Sequence, residues 1–142
     1  MEPPAQPARI SLRRRIEWMD TDAAGIYHWT TAFRLAEAAE AALHSVLGFA
    51  DRTFGATPRV RVAAEFTRIL RFNDVVDVTL AVAAVGRTSV RYALTIAHDG
   101  EPAVAGEIVT CFIDRATGRA IPWPDDIRAP LLSAGAQRAT EP

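Results

Sequence analysis

From Val60 onward apolar and polar side chains alternate with a period of two, broken only by turn signals, and this pattern constrains the fold most. Val60, Val62, Ala64 and Phe66 alternate with Arg59, Arg61, Ala63 and Glu65. After a turn at Phe72-Asn73-Asp74, Val76, Val78, Leu80 and Val82 alternate with Asp77, Thr79, Ala81 and Ala83. Gly86-Arg87 turns the chain again, and Val90, Tyr92, Leu94 and Ile96 form the apolar set of the next run. Asp99-Gly100 tolerates positive φ and reads as a hairpin before a last strand from Ala103 to Asp114, after which Pro122-Trp123-Pro124 closes the core. Connections this short leave no crossover helices, so the four strands predict an antiparallel meander with one buried face.

Two elements precede the meander. Ile10, Leu12, Ile16 and Trp18 share one parity, with Arg13, Arg15 and Glu17 on the other, which is a half-buried strand with Arg14 as the exception. From Thr31 to Leu47 the spacing turns helical: Leu35, Ala39, Ala42, Leu43, Val46 and Leu47 make an apolar stripe beside Phe33, Ala36, Glu37, Glu40, Ala41 and His44. Thr30 or Thr31 caps its start, and Gly48 stands where a C′ glycine belongs. The order is β-α-β-β-β-β. A sheet with one apolar face and a single long helix to cover it predicts an α+β fold in which a curved antiparallel sheet wraps that helix. Its edge strands need cover, and two copies paired edge to edge would supply it. Met1 to Ala8 and Ser133 to Pro142 read as flexible tails, leaving one domain over residues 9–132.

Composition narrows the function classes. The net charge is −1, so no global basic field favours nucleic acid. All sixteen basic side chains are arginine, and any basic contact to phosphate is therefore a guanidinium contact. The single cysteine, Cys111, excludes an internal disulfide, offers no metal cluster, and reads as a buried structural thiol. The stretch from Val75 to Val85 contains Asp77 and is too short to cross a bilayer. Met1 to Ile10 has no apolar signal-peptide core, so the expected location is cytoplasmic.

The chemistry concentrates between the first strand and the helix, in Asp20-Thr21-Asp22-Ala23-Ala24-Gly25. A helix N-terminus offers unpaired N–H groups and a positive dipole end, so a carboxylate just before it places a base and an oxyanion donor together. A thioester is already activated and needs little more than that pair. Asp20 reads as a turn or helix cap.

Glu17-Trp18-Met19-Asp20-Thr21-Asp22-Ala23-Ala24-Gly25-Ile26, Glu37 on the helix, and Phe72-Asn73-Asp74 together resemble the hot-dog acyl-CoA thioesterases of the 4-hydroxybenzoyl-CoA thioesterase type. The resemblance runs from about Arg13 to Pro124, and the aspartate-glycine segment is its specific part. It implies a hot-dog fold and hydrolysis of an acyl-CoA or acyl-carrier-protein thioester. It also implies homodimers, often paired into tetramers, with active sites at the subunit interface and no metal or redox cofactor. It makes Asp22 the nucleophile or general base and the Trp29 N–H the oxyanion donor. Gly25, Tyr27, Glu37, Arg87 and Ser89 fall at substrate-binding positions, with Arg87 best placed for CoA phosphates. The chain departs from the pattern after Gly25, where Tyr27-His28-Trp29 brings the aromatic-histidine pair one place early; His28 either tunes Asp22 or packs the loop. His44 and His98 read as helix surface and hairpin turn, and Phe33, Phe54, Trp29 and Trp123 are candidate walls for an acyl group. Two other readings stand beside hydrolysis: a hot-dog dehydratase or hydratase using histidine and an acid on 3-hydroxyacyl or 2-enoyl thioesters, and a non-catalytic acyl-thioester-binding module.

Overall fold

Period-two alternation produces strands where it was strongest. The computed structural model describes residues 6–139, with strands β1 (Gln6–Arg15), β2 (Arg59–Phe66), β3 (Val75–Val85), β4 (Ser89–His98), β5 (Glu101–Cys111) and β6 (Ala134–Gln137). Helices are α1 (Thr31–Val46), α2 (Ala50–Thr53) and α3 (Asp125–Ser133), with a 3-10 turn at Trp18–Asp20. All six strands form one sheet in the order β2-β5-β4-β3-β1-β6. The meander is antiparallel as expected, with Leu80 opposite Leu94 and Tyr92 opposite Ile108.

One face of the sheet buries Ile10 and Leu12 of β1, Val78 and Leu80 of β3, Leu94 and Ile96 of β4, and Ile108 of β5. Helix α1 crosses β1 and β3 on that face with Ala32, Leu35, Ala36, Ala39 and Leu43 buried. Its alanines bring the helix axis close to the sheet, and each leucine contributes about 1.5–3 kcal/mol of burial. The helix ends as expected, with Gly48 at φ +88° and its N–H bonded to the His44 carbonyl at 3.1 Å.

The architecture is α+β with a six-stranded sheet, but it is richer than the β-α-β-β-β-β order. The segment expected to be a tail from Ser133 contains the end of α3 and then β6, which pairs parallel to β1 and makes the sheet mixed. Likewise β1 begins at Gln6, inside the expected N-terminal tail. The remainder of both expected tails, residues 1–5 and 140–142, lies outside the described residues. Helix α3 buries Ile127 and Leu131 one turn apart against β1 and β3, so α1 is not the only helix packed on the sheet. Trp18 is exposed rather than an inward strand residue, because β1 ends at Arg15 and the chain enters the 3-10 turn. Trp123 is buried and stacks on Phe112 at 4.7 Å, closing the core as expected.

Strand β2 differs from its neighbours. Val60, Val62 and Phe66, which alternation assigns to the buried face, are 60%, 42% and 43% exposed. They stand on the outer strand of the sheet, where α1 reaches Arg59 and borders Val62 without burying this face, and a bulge between Arg59 and Arg61 interrupts the alternation at Val60. No helix among the described residues is long and apolar enough to cross a membrane.

Candidate active site

The site loop is built by two aspartates with different roles. Asp20 is buried, and its carboxylate accepts the Glu17 N–H at 2.8 Å and pairs with Arg34 of α1. Its carbonyl accepts the His28 N–H at 2.7 Å and the Thr31 hydroxyl at 3.2 Å. Asp20 thus pins the loop to the first turn of α1, a structural role in keeping with its reading as a cap. Thr30 occupies the N-cap position without a side-chain capping bond.

Asp22 is exposed. Its N–H donates to the Ile26 carbonyl at 2.9 Å, its carbonyl accepts the Gly25 N–H at 3.0 Å, and Oδ1 accepts the Ala24 N–H at 2.8 Å. Oδ2 has no hydrogen-bond partner among the described residues, so the loop orients the carboxylate and leaves one oxygen for chemistry. Gly25 closes this turn at φ +79°, where a side chain would be strained. Beyond it, Ile26 bridges Arg71 and the Tyr27 N–H donates to the Leu70 carbonyl at 2.9 Å. These bonds draw the segment after β2 against the loop.

Between them lies a cavity of about 420 Å³ walled by Asp22, Ile26, Tyr27, Trp29, Phe66, Thr67, Arg68 and Ile69. Asp22 and Trp29 therefore share one wall. The Trp29 N–H, two residues before α1, donates to no backbone acceptor among the described residues. The remaining surface is mainly apolar. A carboxylate, an unpaired N–H near a helix start and an apolar chamber suit attack on an activated carbonyl carried by an apolar group.

The other candidate residues are distributed differently. His28 lines a separate depression with Met19, Thr30 and Arg34, its Nδ1 2.7 Å from the Thr30 hydroxyl. Glu37 is exposed on α1 and reaches Arg59 at 3.9 Å, in a groove with Phe33 and Val62. Glu40 is buried, with both carboxylate oxygens 2.8 Å from Arg59 Nη1; burial pushes its carboxyl up, and Arg59 opposes that shift. Phe54 borders that pairing rather than the Asp22 cavity. Arg87 and Ser89 lie in the β3–β4 turn, beside Trp123, whose indole donates to the Ser89 carbonyl at 2.9 Å. Ser89 is paired with Cys111, whereas the Asp22 cavity lies by Phe66, paired with Val104. Eight residues of β2 at roughly 3.3 Å each put these two ends about 25 Å apart within one chain.

Two side chains depart from expectation. His44 is buried, with Nδ1 2.7 Å from the Thr53 hydroxyl and Nε2 2.7 Å from the Tyr92 hydroxyl. Cys111 is half-buried rather than fully buried, because it ends β5 beside the edge of the sheet. The sequence reading also missed the far wall of the cavity. Its signal was an apolar pair, Phe66 and Ile69, flanking polar residues just past a strand.

The chain matches the thioesterase-like superfamily over residues 16–131. It belongs to that superfamily. The match takes in the Asp22 loop, α1 and the whole meander. A 1,4-dihydroxy-2-naphthoyl-CoA hydrolase of Synechococcus elongatus is 24% identical over 127 residues, covering 85% of this chain and 93% of that protein. Among solved structures, a predicted thioesterase from Bacillus stearothermophilus superposes with a TM-score of 0.79 at 23% identity, over 87% of this chain and 93% of the other. A Thermus thermophilus thioesterase solved with coenzyme A and zinc gives 0.78 at 22% identity, over 85% and 90%. These likenesses support the hot-dog fold of the thioesterases. The superfamily is broader than the 4-hydroxybenzoyl-CoA type, which none of these relatives is named for.

Proposed function

We propose that the chain is an acyl-CoA thioesterase in which Asp22 is the catalytic carboxylate and the Trp29 N–H stabilises the oxyanion. One observation supports the reading: Asp22, with one carboxylate oxygen free, and Trp29, whose backbone N–H has no backbone acceptor among the described residues, both line one largely apolar cavity. The acyl group occupies the chamber of Ile26, Tyr27, Phe66 and Ile69, and the thioester carbonyl turns toward the start of α1. Asp22 then attacks that carbonyl and breaks the C–S bond, the leaving thiolate taking a proton from water and the resulting anhydride being cleaved by a second water. Alternatively, it deprotonates an attacking water and passes that proton to the leaving thiolate. Either route releases the thiol and a free acid. Label in Asp22 after a single turnover in oxygen-18 water identifies the anhydride route with water attacking the aspartyl carbonyl, which the general-base route cannot produce.

The substrate site is proposed to be completed by a second copy. If β2 pairs antiparallel with β2 of a twofold mate, the Arg59 end of one strand lies beside the Phe66 end of the other. That arrangement carries Arg87 and Ser89 of the mate across the distance separating them from Asp22 in one chain, and places Arg87 for the CoA phosphates. It also covers Val60, Val62 and Phe66. Glu37 faces the same groove.

Purified protein should release free thiol from acyl-CoAs, and Asp22→Asn should lower kcat by about 100-fold or more while remaining folded, the usual scale for a general base. Wild-type activity in that variant would sink the assignment. The dehydratase reading needs a histidine paired with an acid, and His28 lines a different depression from Asp22.

A further inference from the structure

The chain has two tyrosines, both buried, and they differ in one respect. The Tyr92 hydroxyl meets His44 Nε2 at 2.7 Å, whereas the Tyr27 hydroxyl has no hydrogen-bond partner among the described residues. Tyr27 is 7% exposed and lines the Asp22 cavity, with the Phe66 ring 6.3 Å away and tilted by 50°. An unpaired buried hydroxyl is a cost that phenylalanine would not carry. Burial also pushes this phenol up from its ordinary value, so it stays protonated and able to donate.

The other polar groups of the cavity wall are occupied. Asp22 and the Trp29 N–H serve the thioester in the proposed reaction. The Thr67 hydroxyl donates to the Pro102 carbonyl at 3.2 Å, and Arg68 pairs with Glu101. Ile26, Phe66 and Ile69 offer no polar atoms from their side chains. Tyr27 is the buried side-chain donor of this wall that has no partner among the described residues.

We propose that the Tyr27 hydroxyl is a specificity-determining group that hydrogen-bonds an oxygen-bearing substituent of the acyl chain or ring. The proposal rests on the reading of this cavity as the acyl site of a thioesterase. An apolar acyl group leaves the hydroxyl unpaired before and after binding, and gains nothing from it. An acyl oxygen supplies the missing partner, worth about tenfold in selectivity for one net hydrogen bond. The hydroxyl is buried beside Phe66, so the proposal requires the acyl group to reach it past that ring, which is 43% exposed on an edge strand.

The test compares substrates matched in shape and differing in one oxygen. These are hydroxybenzoyl-CoAs against methylbenzoyl-CoAs substituted at the same ring position, and 3-hydroxybutanoyl-CoA against 3-methylbutanoyl-CoA. In at least one pair the hydroxylated thioester should win by about tenfold in kcat/KM, and Tyr27→Phe should bring that ratio close to one. The thermal midpoint of Tyr27→Phe should not fall. The proposal is overturned if no pair shows the preference, or if the preference survives in Tyr27→Phe. A Tyr27→Phe protein clearly less stable than wild type also overturns it, because the hydroxyl would then be serving the fold. If no thioester is cleaved at all, the catalytic reading fails by itself, and the Kd ratios of the same pairs for both proteins decide the role of Tyr27.

Discussion

Acidification should destabilise this protein through His44, by an amount the structure allows to be worked out. The imidazole is 1% exposed, sealed by Phe49 at 5.1 Å and held between Thr53 and Tyr92. The Thr53 hydroxyl also lies 3.3 Å from the Phe49 carbonyl, to which it donates, so it accepts from His44 Nδ1–H. That leaves Nε2 to accept from Tyr92, whose phenol burial keeps protonated. The network thus fits a neutral ring and loses the Tyr92 bond if Nε2 gains a proton. Burial, helped by the nearby Arg59 charge, pushes the His44 pKa down to about 4. Its place in the last turn of α1 favours the cation by only about 0.3–1 kcal/mol, too little to reverse this. Native His44 therefore resists protonation, whereas the unfolded chain takes up the proton near the ordinary value of 6.5. Stability is complete above about pH 6.5 and is lost as pH falls toward 4. At ~1.36 kcal/mol per pKa unit the loss is about 2 kcal/mol at pH 5 and about 3 kcal/mol below pH 4. Urea unfolding of wild type and His44→Gln at pH 7 and pH 5, at one protein concentration, measures it. Glutamine does not titrate, so the variant should start less stable and lose about 2 kcal/mol less over that interval. Parallel losses in the two proteins would refute the argument.

Two further substitutions test the loop and the edge. Asp20→Ala removes the buried acceptor of the Glu17 N–H and the partner of Arg34; it should cost about 2 kcal/mol in chemical unfolding and lower kcat through the displaced loop. Val62→Glu puts a charge on the exposed apolar face of β2; size-exclusion chromatography with light scattering should show monomers, and those monomers should have lost thioesterase activity. A fully active Val62→Glu monomer would exclude the shared site.

What the sequence revealed of the site follows the range of the interactions involved. The near wall was legible because Asp22, Gly25, Trp29 and the helix start lie within ten residues, and each is set by local rules: an aspartate turn, a positive-φ glycine, an open helix end. The far wall was not, because Phe66 and Ile69 come to the loop only through the Tyr27–Leu70 and Ile26–Arg71 bonds, which no local pattern specifies. His44 was misread for a similar reason. Its own helix gives no sign of the Tyr92 and Thr53 hydroxyls that satisfy it when buried. Helix α3 was hidden by Pro130 and its short length, although Ile127 and Leu131 had helical spacing.

Strand β2 is the opposite case, where the sequence carries more than one chain displays. Its alternation is as regular as that of β3 and β4, yet Val60, Val62 and Phe66 remain open to solvent while the same parity in β3 and β4 is buried. A pattern written for a buried face is out of place on an uncovered one, because an exposed apolar edge strand invites pairing. In a single chain α1 packs mainly on β1 and β3, and the contacts that α1 and Tyr27 make with β2 leave Val60, Val62 and Phe66 largely exposed. The separation of Arg87 from Asp22 is the same deficit seen from the chemistry: the residues proposed to bind and cleave the substrate stand at opposite ends of the sheet. Antiparallel pairing of two β2 strands removes both deficits at once, which is why one substitution, Val62→Glu, is expected to abolish assembly and hydrolysis together.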